Sequence, residues 1–497
     1  MYLLGYDIGS SSIKAALIDA ETGKTAASAS SPSKEMEIIA KKAGWAEQDP
    51  EMWWENLKSA TNLIKKSAGS KVNDIKAIGI SYQMHGLVCV DAAQKPLRPA
   101  IIWCDSRAVK LGEKAAGKIG IKKSLEHLLN LPGNFTAAKL AWVKQNEPSI
   151  YKKIYKIMLP GDYIAMKLTG GIATSYSGLS EGIFWDFKKG WISGMLLDAF
   201  GLDRNLLADA GPSFSVRGVV SQKAASELGI NAGIKVSYRA GDQPNNALSL
   251  NVLEPGELAA TAGTSGVVYG VSDRPSYDIK SRVNTFVHVN HTKDNPRYGT
   301  LMCLNGTGIL NSWLRKNITD GLDYADINAI AAGVAPGADG VFIHPYGNGS
   351  ERTLENKPSC AIISGLSLTT HTKAHLLRAG QEGIVFALNY GIEIMKEMGI
   401  KVKKVRAGHA NMFLSPVFRE VFAAVTGAEV ELYDTDGSQG AARGAGIGAG
   451  IFKNNRDAFK GLNILSTTAP DKKLVKSYVG FYKEWKQILN NILLSKV

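Results

Sequence analysis

Two short stretches carry the residue types that hold phosphate. YDIGSSSIK, residues 6–14, sets Asp7 and Lys14 on either side of a run of Gly and Ser. TAGTSG, residues 261–266, sets Thr264 and Ser265 between two glycines. Small-residue turns let a ligand approach the backbone closely and offer N–H groups and hydroxyls as donors. A carboxylate, a row of donors and a cation together suit a metal–phosphate ligand. The competing reading of each stretch is an ordinary hairpin turn, with Asp7 solvated. The two turns are far apart in sequence, so a polyphosphate gripped by both has to sit between two halves of the chain.

The flanking sequence says how such turns are positioned. Apolar, β-compatible runs surround residues 8–12, so the chain opens as strand, tight turn, strand, with DAETGK as a second turn before a third strand. Residues 50–68 read as an amphipathic helix with Pro50 near its start. IKAIGISYQM reads as a buried strand with HGLVCVD as its continuation, and FTAAKLAWVKQNEP as a helix closed by Pro148. Near residue 240 the pattern starts again: IKVSYRAGDQPNNALSLN predicts strand, turn and helix, and ELAATAGTSGVVYGVS a second strand–turn–strand. In DGSQGAARGAGIGAG, residues 436–450, a helix after Ser438 places Gly440, Gly444 and Gly448 four apart, a smooth face for close helix packing. Residues past about 470 read as a terminal helix. The expectation is an alternating α/β protein of two lobes with a cleft between them.

Composition narrows the classes. A chain of 497 residues is too long for one compact core. Apolar content of 45% and charged content of 21% are those of an ordinary soluble globular protein. The net charge of +13 comes from dispersed lysines without interleaved aromatics, so it points to a solvated basic face that attracts anionic substrates, not to nucleic acid. Cys89, Cys104, Cys303 and Cys360 form no CxxC pair, which suggests a reducing compartment and no zinc site. No signal peptide or membrane span is expected, which fits a cytoplasmic protein. GKT at 23–25 fails as a P-loop because Ile18 stands where glycine is required. The glycines of 437–450 never reach dinucleotide spacing, and no HExxH or well-flanked GxSxG occurs.

Seven stretches taken together are specific. YDIGSSSIKAALID, SYQMHGLVCVD, RPAIIWCDSRA, TAAKLAWVKQN, RAGDQPNNAL, TAGTSGVV and DGSQGAARGAGIGAG cover residues 1 to about 452. In content and order they resemble the FGGY carbohydrate kinases, within the actin-like ATPase fold. The resemblance implies two ribonuclease H-like domains, here residues 1–241 on the sugar side and 242–497 on the nucleotide side, with the substrate cleft between them. It implies ATP and Mg2+, and transfer of phosphate to the terminal hydroxyl of D-xylulose, giving the 5-phosphate. The alternatives are another ketose or polyol (ribulose, glycerol, a deoxy sugar) or an actin-like ATPase that transfers nothing. Partners are then a small ketose and ATP, with a homodimer as a family-level expectation.

The same resemblance implies site residues. Asp242 matches the family's catalytic base; its competing role is to cap the helix PNNALSLN. Gln243 is placed beside the sugar. Asp7 matches a magnesium-side aspartate acting through water. Gly9, Ser10, Ser11 and Lys14 are expected on phosphates from one side, Thr264 and Ser265 from the other. Met84 and His85 in QMHG are expected to line the ketose pocket, with His85 donating to a sugar hydroxyl; a packing histidine is the alternative. Gly308, Gly408 and Asn411 are placed on the nucleotide. His409 replaces a family glycine there. Trp103, Asp105 and Arg107 fit support or substrate contact equally, Asn134 borders the pocket, and SERT, residues 350–353, has no assigned role.

Overall fold

The computed structural model describes residues 1–357 and 359–494. Pro358, in the run after SERT, and residues 495–497, the end of the expected second domain, lie outside the described residues.

The first sheet is built wholly from residues before Asp242. Strands β1 (Tyr2–Ile8), β2 (Ile13–Asp19) and β3 (Thr25–Ser31) form the expected meander, and β4 (Ile75–Tyr82) and β5 (Lys235–Gly241) add parallel to β1, in the order β5-β4-β1-β2-β3. β1 and β4 read as nearly continuous apolar runs because both faces of this sheet are covered. One face is covered by α1 (Pro50–Ala68), whose Trp53, Trp54, Leu57 and Ile64 pack with Leu4, Tyr6 and Leu17. Two further helices, α2 (Thr136–Asn146) and α3 (Tyr176–Glu181), belong to a side lobe beyond the strand ends. The expected continuation of β4 is broken: His85 turns to φ 61°, and Val88–Val90 pair instead with Lys156–Met158.

Beyond Gly241 the chain enters α4 (Asp242–Ser249) and then repeats the meander. Strands β6 (Glu257–Ala262), β7 (Gly266–Ser272), β8 (Asn284–Val287), β9 (Tyr298–Leu304), β10 (Lys404–Gly408), β11 (Glu429–Tyr433) and β12 (Ile464–Thr468) form a second sheet, ordered β8-β9-β7-β6-β10-β11-β12. Its outer face is packed by α5 (Gly308–Ile318), α6 (Lys373–Glu397) and the terminal α8, which follows α7 (Gly437–Gly448) and spans Lys472–Leu494.

α4 and α7 are the middle layer between the two sheets. Leu248 of α4 joins Leu3, Ala77, Ala441 and Ala445 against the first sheet, while Ala247 joins Ala259, Tyr269 and Tyr433 against the second. α7 lies so close to the first sheet that a Cβ on Gly5 would stand 1.9 Å from the Ser438 carbonyl and one on Gly79 1.9 Å from that of Ala441. The four-residue glycine spacing serves the same packing: Gly440 faces Ser249 and Gly444 faces the Tyr238 ring. Helix α7, from late in the sequence, is thus fixed on the opening strands.

Candidate active site

The sheet ends and the two middle helices converge on three carboxylates. Asp7 ends β1, with Ser81 of β4 donating to its Oδ1 at 2.7 Å and Lys14 its partner across the β1–β2 ladder. Asp436 caps α7 through Gln439 N–H at 2.9 Å. Asp242 is the first residue of α4 and Gly241 holds the N-cap position, while the Asp242 carboxylate still accepts the Gln243 N–H of the first turn. Burial, then the negative charge of Asp7, lifts the Asp242 carboxyl to about 7. Burial also raises Asp7, with Asp436 adding to it and Ser81 and Lys14 opposing. Like charges held together out of water behave this way. Gln243 donates to the Asp242 carboxylate from its backbone and side-chain N–H groups, and its buried Oε1 has no partner among the described residues.

The first small-residue turn follows Asp7 directly, and the second joins β6 to β7. In the first, Gly9 N–H donates to Ser12 O at 3.1 Å, Ser10 O accepts from the Gln48 amide at 2.7 Å, and Ser11 O accepts from Met36 N–H at 2.9 Å. These bonds tie down backbone carbonyls and leave the Ser10 and Ser11 hydroxyls and Lys14 outward. In the second, Gly308 N–H donates to Gly263 O at 2.8 Å and Ile309 N–H to Thr264 O at 3.2 Å, fixing the start of α5 on the turn. A Cβ on Gly308 would sit 2.4 Å from Gly263 O, so a side chain there separates the two. Asn411 takes φ 56°, and its amide nitrogen lies 3.6 Å from where a Gly263 Cβ would stand. Thr264, Ser265, Gly308 and Asn411 are therefore one assembly, with Gly408 at the end of β10 beside it. His409 is exposed, and its N–H donates to Tyr433 O at 2.8 Å.

The residues expected on the sugar side, Met84 and His85, follow the end of β4. His85 is tied at three points: its N–H donates to Glu181 Oε1 at 3.3 Å, its Nδ1–H to Glu181 O at 2.8 Å, and its carbonyl accepts from Lys139 Nζ at 2.8 Å. A carbonyl only accepts, so Nδ1 carries the proton and Nε2 is left as an acceptor. Burial, and then Lys139, hold the imidazole neutral by lowering it to about 3. The expectation that His85 donates to a sugar hydroxyl is therefore reversed. Met84 is buried beside it, and Phe135 and Phe286 pack on its ring at centroid distances of 5.0 and 5.6 Å.

Sequence reading missed Glu181, Lys139, Phe286 and Asp436 as parts of this site. Glu181 is fully buried and held well above its usual range by burial, with Asp242 adding to it. Lys139 is fully buried and lowered to about 7, again by burial. Phe286 arrives on β8 from the second half of the chain. The residues weighed as support resolve by geometry: Asp105 accepts Ala46 N–H and grips Arg107, which lies 3.8 Å over the Trp45 ring, while Trp103 is exposed. Asn134 donates to Asp105 O and leaves its own Oδ1 buried without a partner. Among the described residues no three His, Cys, Asp or Glu side chains are grouped to hold a metal, and no helix is long and apolar enough to cross a membrane.

Comparison with known proteins matches this arrangement to one class. Residues 2–249 match the N-terminal domain of the FGGY family of carbohydrate kinases, and residues 258–451 its C-terminal domain. The chain is 30% identical to the xylulose kinase of Lactococcus lactis subsp. lactis, over 99% of this chain and 97% of that one. It superposes on the crystal structure of xylulose kinase from Rhodospirillum rubrum with a TM-score of 0.89 and 25% identity over all of both chains. It superposes equally well, at 0.89 and 22% identity over 100% and 99%, on gluconate kinase from Lactobacillus acidophilus. The protein belongs to the FGGY family of carbohydrate kinases. It is a sugar kinase of actin-like fold that takes ATP as phosphoryl donor.

Proposed function

We propose that the protein phosphorylates the terminal hydroxyl of D-xylulose to give D-xylulose 5-phosphate. The observation that carries this reading is Asp242, lifted to about 7 by burial and by Asp7, with Met84 packed against Gly241 just before it. A full-length relative named for xylulose supports the ketose. The fold does not choose it, because a gluconate kinase superposes as closely.

In this reading the halves 1–241 and 242–497 are the two domains, meeting at Asp242. The hydroxyl of the sugar lies against Asp242, which takes its proton as the oxygen attacks the γ-phosphorus and the bond from that phosphorus to the bridging oxygen of ADP breaks. The transition state of phosphoryl transfer is loose, so the protein chiefly positions the reactants and offsets charge. A carboxyl near 7 is a suitable base at neutral pH. Gly9, Ser10, Ser11 and Lys14 face the phosphates from the first half, Thr264, Ser265 and Gly308 from the second, with Gly408 and Asn411 toward the nucleoside. A magnesium ion would be held by Asp7 through water: Ser81 donates to Oδ1, and Oδ2 packs against Gly437, where a Cβ would stand 2.4 Å away. Mg2+ keeps several waters and takes one or two carboxylates beside substrate phosphates, and it would supply positive charge against theirs. Shielding of the site from water keeps water from competing with the sugar. A cytoplasmic location and a homodimer complete the reading.

The test is ADP release with ATP and Mg2+ across D-xylulose, D-ribulose, L-ribulose, glycerol and gluconate. The highest kcat/KM for D-xylulose is expected. A higher value for another acceptor keeps the kinase and removes the ketose assignment; turnover indifferent to any acceptor removes the kinase reading.

A further inference from the structure

SERT, the motif without a role, folds as a pinned loop at the sugar side of the cleft. Glu351 is buried and accepts Asn305 N–H at 2.9 Å, while the Asn305 amide donates to Ser350 O at 2.8 Å. The loop is thus fixed to the end of β9 in the second half of the chain. The next residue, Arg352, reaches over to the first half: its Nη2 lies 3.8 Å from where a Cβ of Gly133 would stand. Gly133 is followed by Asn134 and by Phe135, which packs on the His85 ring.

The guanidinium is poorly matched to its protein neighbours. Its Nη1 is closed to water and has no hydrogen-bond partner among the described residues. Its charge reaches His85 and helps keep that ring neutral. Buried acceptors in the same region are also unsatisfied: Asn134 Oδ1, Gln243 Oε1, Glu181 Oε2 and, beside Arg352 in the chain, Glu351 Oε2. A buried donor left unpaired carries a full desolvation cost, and a cluster of such atoms at a pocket calls for a ligand that completes them. The needed ligand presents several hydroxyls, each able to donate and accept. His85 Nε2 asks for a donor and Arg352 asks for acceptors.

We propose that Arg352 is a substrate-binding residue contributed from the second half, whose guanidinium donates hydrogen bonds to the oxygens of the acceptor sugar while a sugar hydroxyl donates to His85 Nε2. The sugar then ties the two halves together across the cleft. This rests on the sugar-kinase reading of the site but not on the choice of ketose. The probe is therefore whichever acceptor gives the highest kcat/KM in the panel above, so a wrong ketose appears in the wild-type panel and not in the variants.

Calorimetric titration of the full chain with that sugar, without nucleotide, compares wild type with R352Q and R352K. Hydrogen bonds to a charged group predict a sugar affinity lower by about 10- to 100-fold in R352Q. R352K falls in between, because an ammonium does not reproduce the fork of a guanidinium. The affinity for a non-hydrolysable ATP analogue stays within twofold. Sugar affinity unchanged in R352Q overturns the proposal, as does an equal loss of sugar and nucleotide binding, which marks a structural role. If R352Q does not fold, R352K decides, and wild-type sugar affinity in that variant overturns it.

Discussion

The two ends of the cleft are built by different means. At the end proposed for the nucleotide the chain offers mostly main chain: glycine turns, a helix start docked on one of them, and Asn411 in a left-handed conformation. At the sugar end it offers side chains whose protonation is set by burial: Asp242, His85, Glu181 and Lys139. Backbone recognition suits a ligand that is the same for a whole family, since polyphosphate needs only donors and close approach. Side-chain recognition suits the acceptor, which differs between family members. The contrast implies that the nucleotide end is broken by added bulk and the sugar end by altered charge.

The largest effect is expected at Asp242. D242N should lower kcat/KM by about 10²–10⁴, the range for loss of a general base, with sugar binding retained in a titration. The stability of the same variant goes the other way. The folded carboxyl is raised, so the native state holds its proton more tightly than the unfolded chain between about 4 and 7, and stability is lost as pH rises through that window. D242N removes this loss, so it should melt above wild type at pH 8 and level with it at pH 4. Melting curves at the two values decide the point.

Next in size is G308A. The new methyl meets Gly263 O at 2.4 Å and must part α5 from its turn. A rise in KM for ATP of about tenfold or more is expected, with KM for sugar little changed; the reverse pattern would erase the contrast between the two ends. E181A should act on the sugar side alone, because it frees the His85 N–H and loosens the left-handed turn that aims the ring. Loss of one buried hydrogen-bond partner predicts a sugar KM up by roughly 5- to 50-fold, with E181Q close to wild type. H409G should be the smallest, within about twofold on KM for ATP, because the residue is exposed and its N–H donates to Tyr433 O from the backbone.

What the sequence made legible follows the same division. The repeated strand–turn–strand, the glycine face of α7 and the two small-residue turns are local patterns, and the structure has them where their composition places them. The sugar end depends on contacts across long separations. Glu181 meets His85 from 96 residues away and Lys139 from 54, and nothing in their neighbours' spacing marks them. The tautomer of His85 is a property of the partner of Nδ1, so QMHG alone could not say whether the ring donates or accepts. Likewise Asp242 followed by a helix looks like a cap until the backbone assigns that position to Gly241. Division of the chain at 241 describes the two sheets, but α7 lies on the first sheet although it follows residue 436, a placement only the packing of Gly5 and Gly79 explains.

The central claim is that Asp242 removes a proton from a sugar hydroxyl at the junction of the two halves. The pH dependence of sugar-stimulated ADP release tests it most directly. For wild type, kcat/KM should rise about tenfold per pH unit below 7 and level off above it, since the base acts only when ionised. D242N should keep a low rate without that inflection. An unchanged inflection in D242N, or a wild-type rate flat from pH 5 to 8, would contradict the assignment.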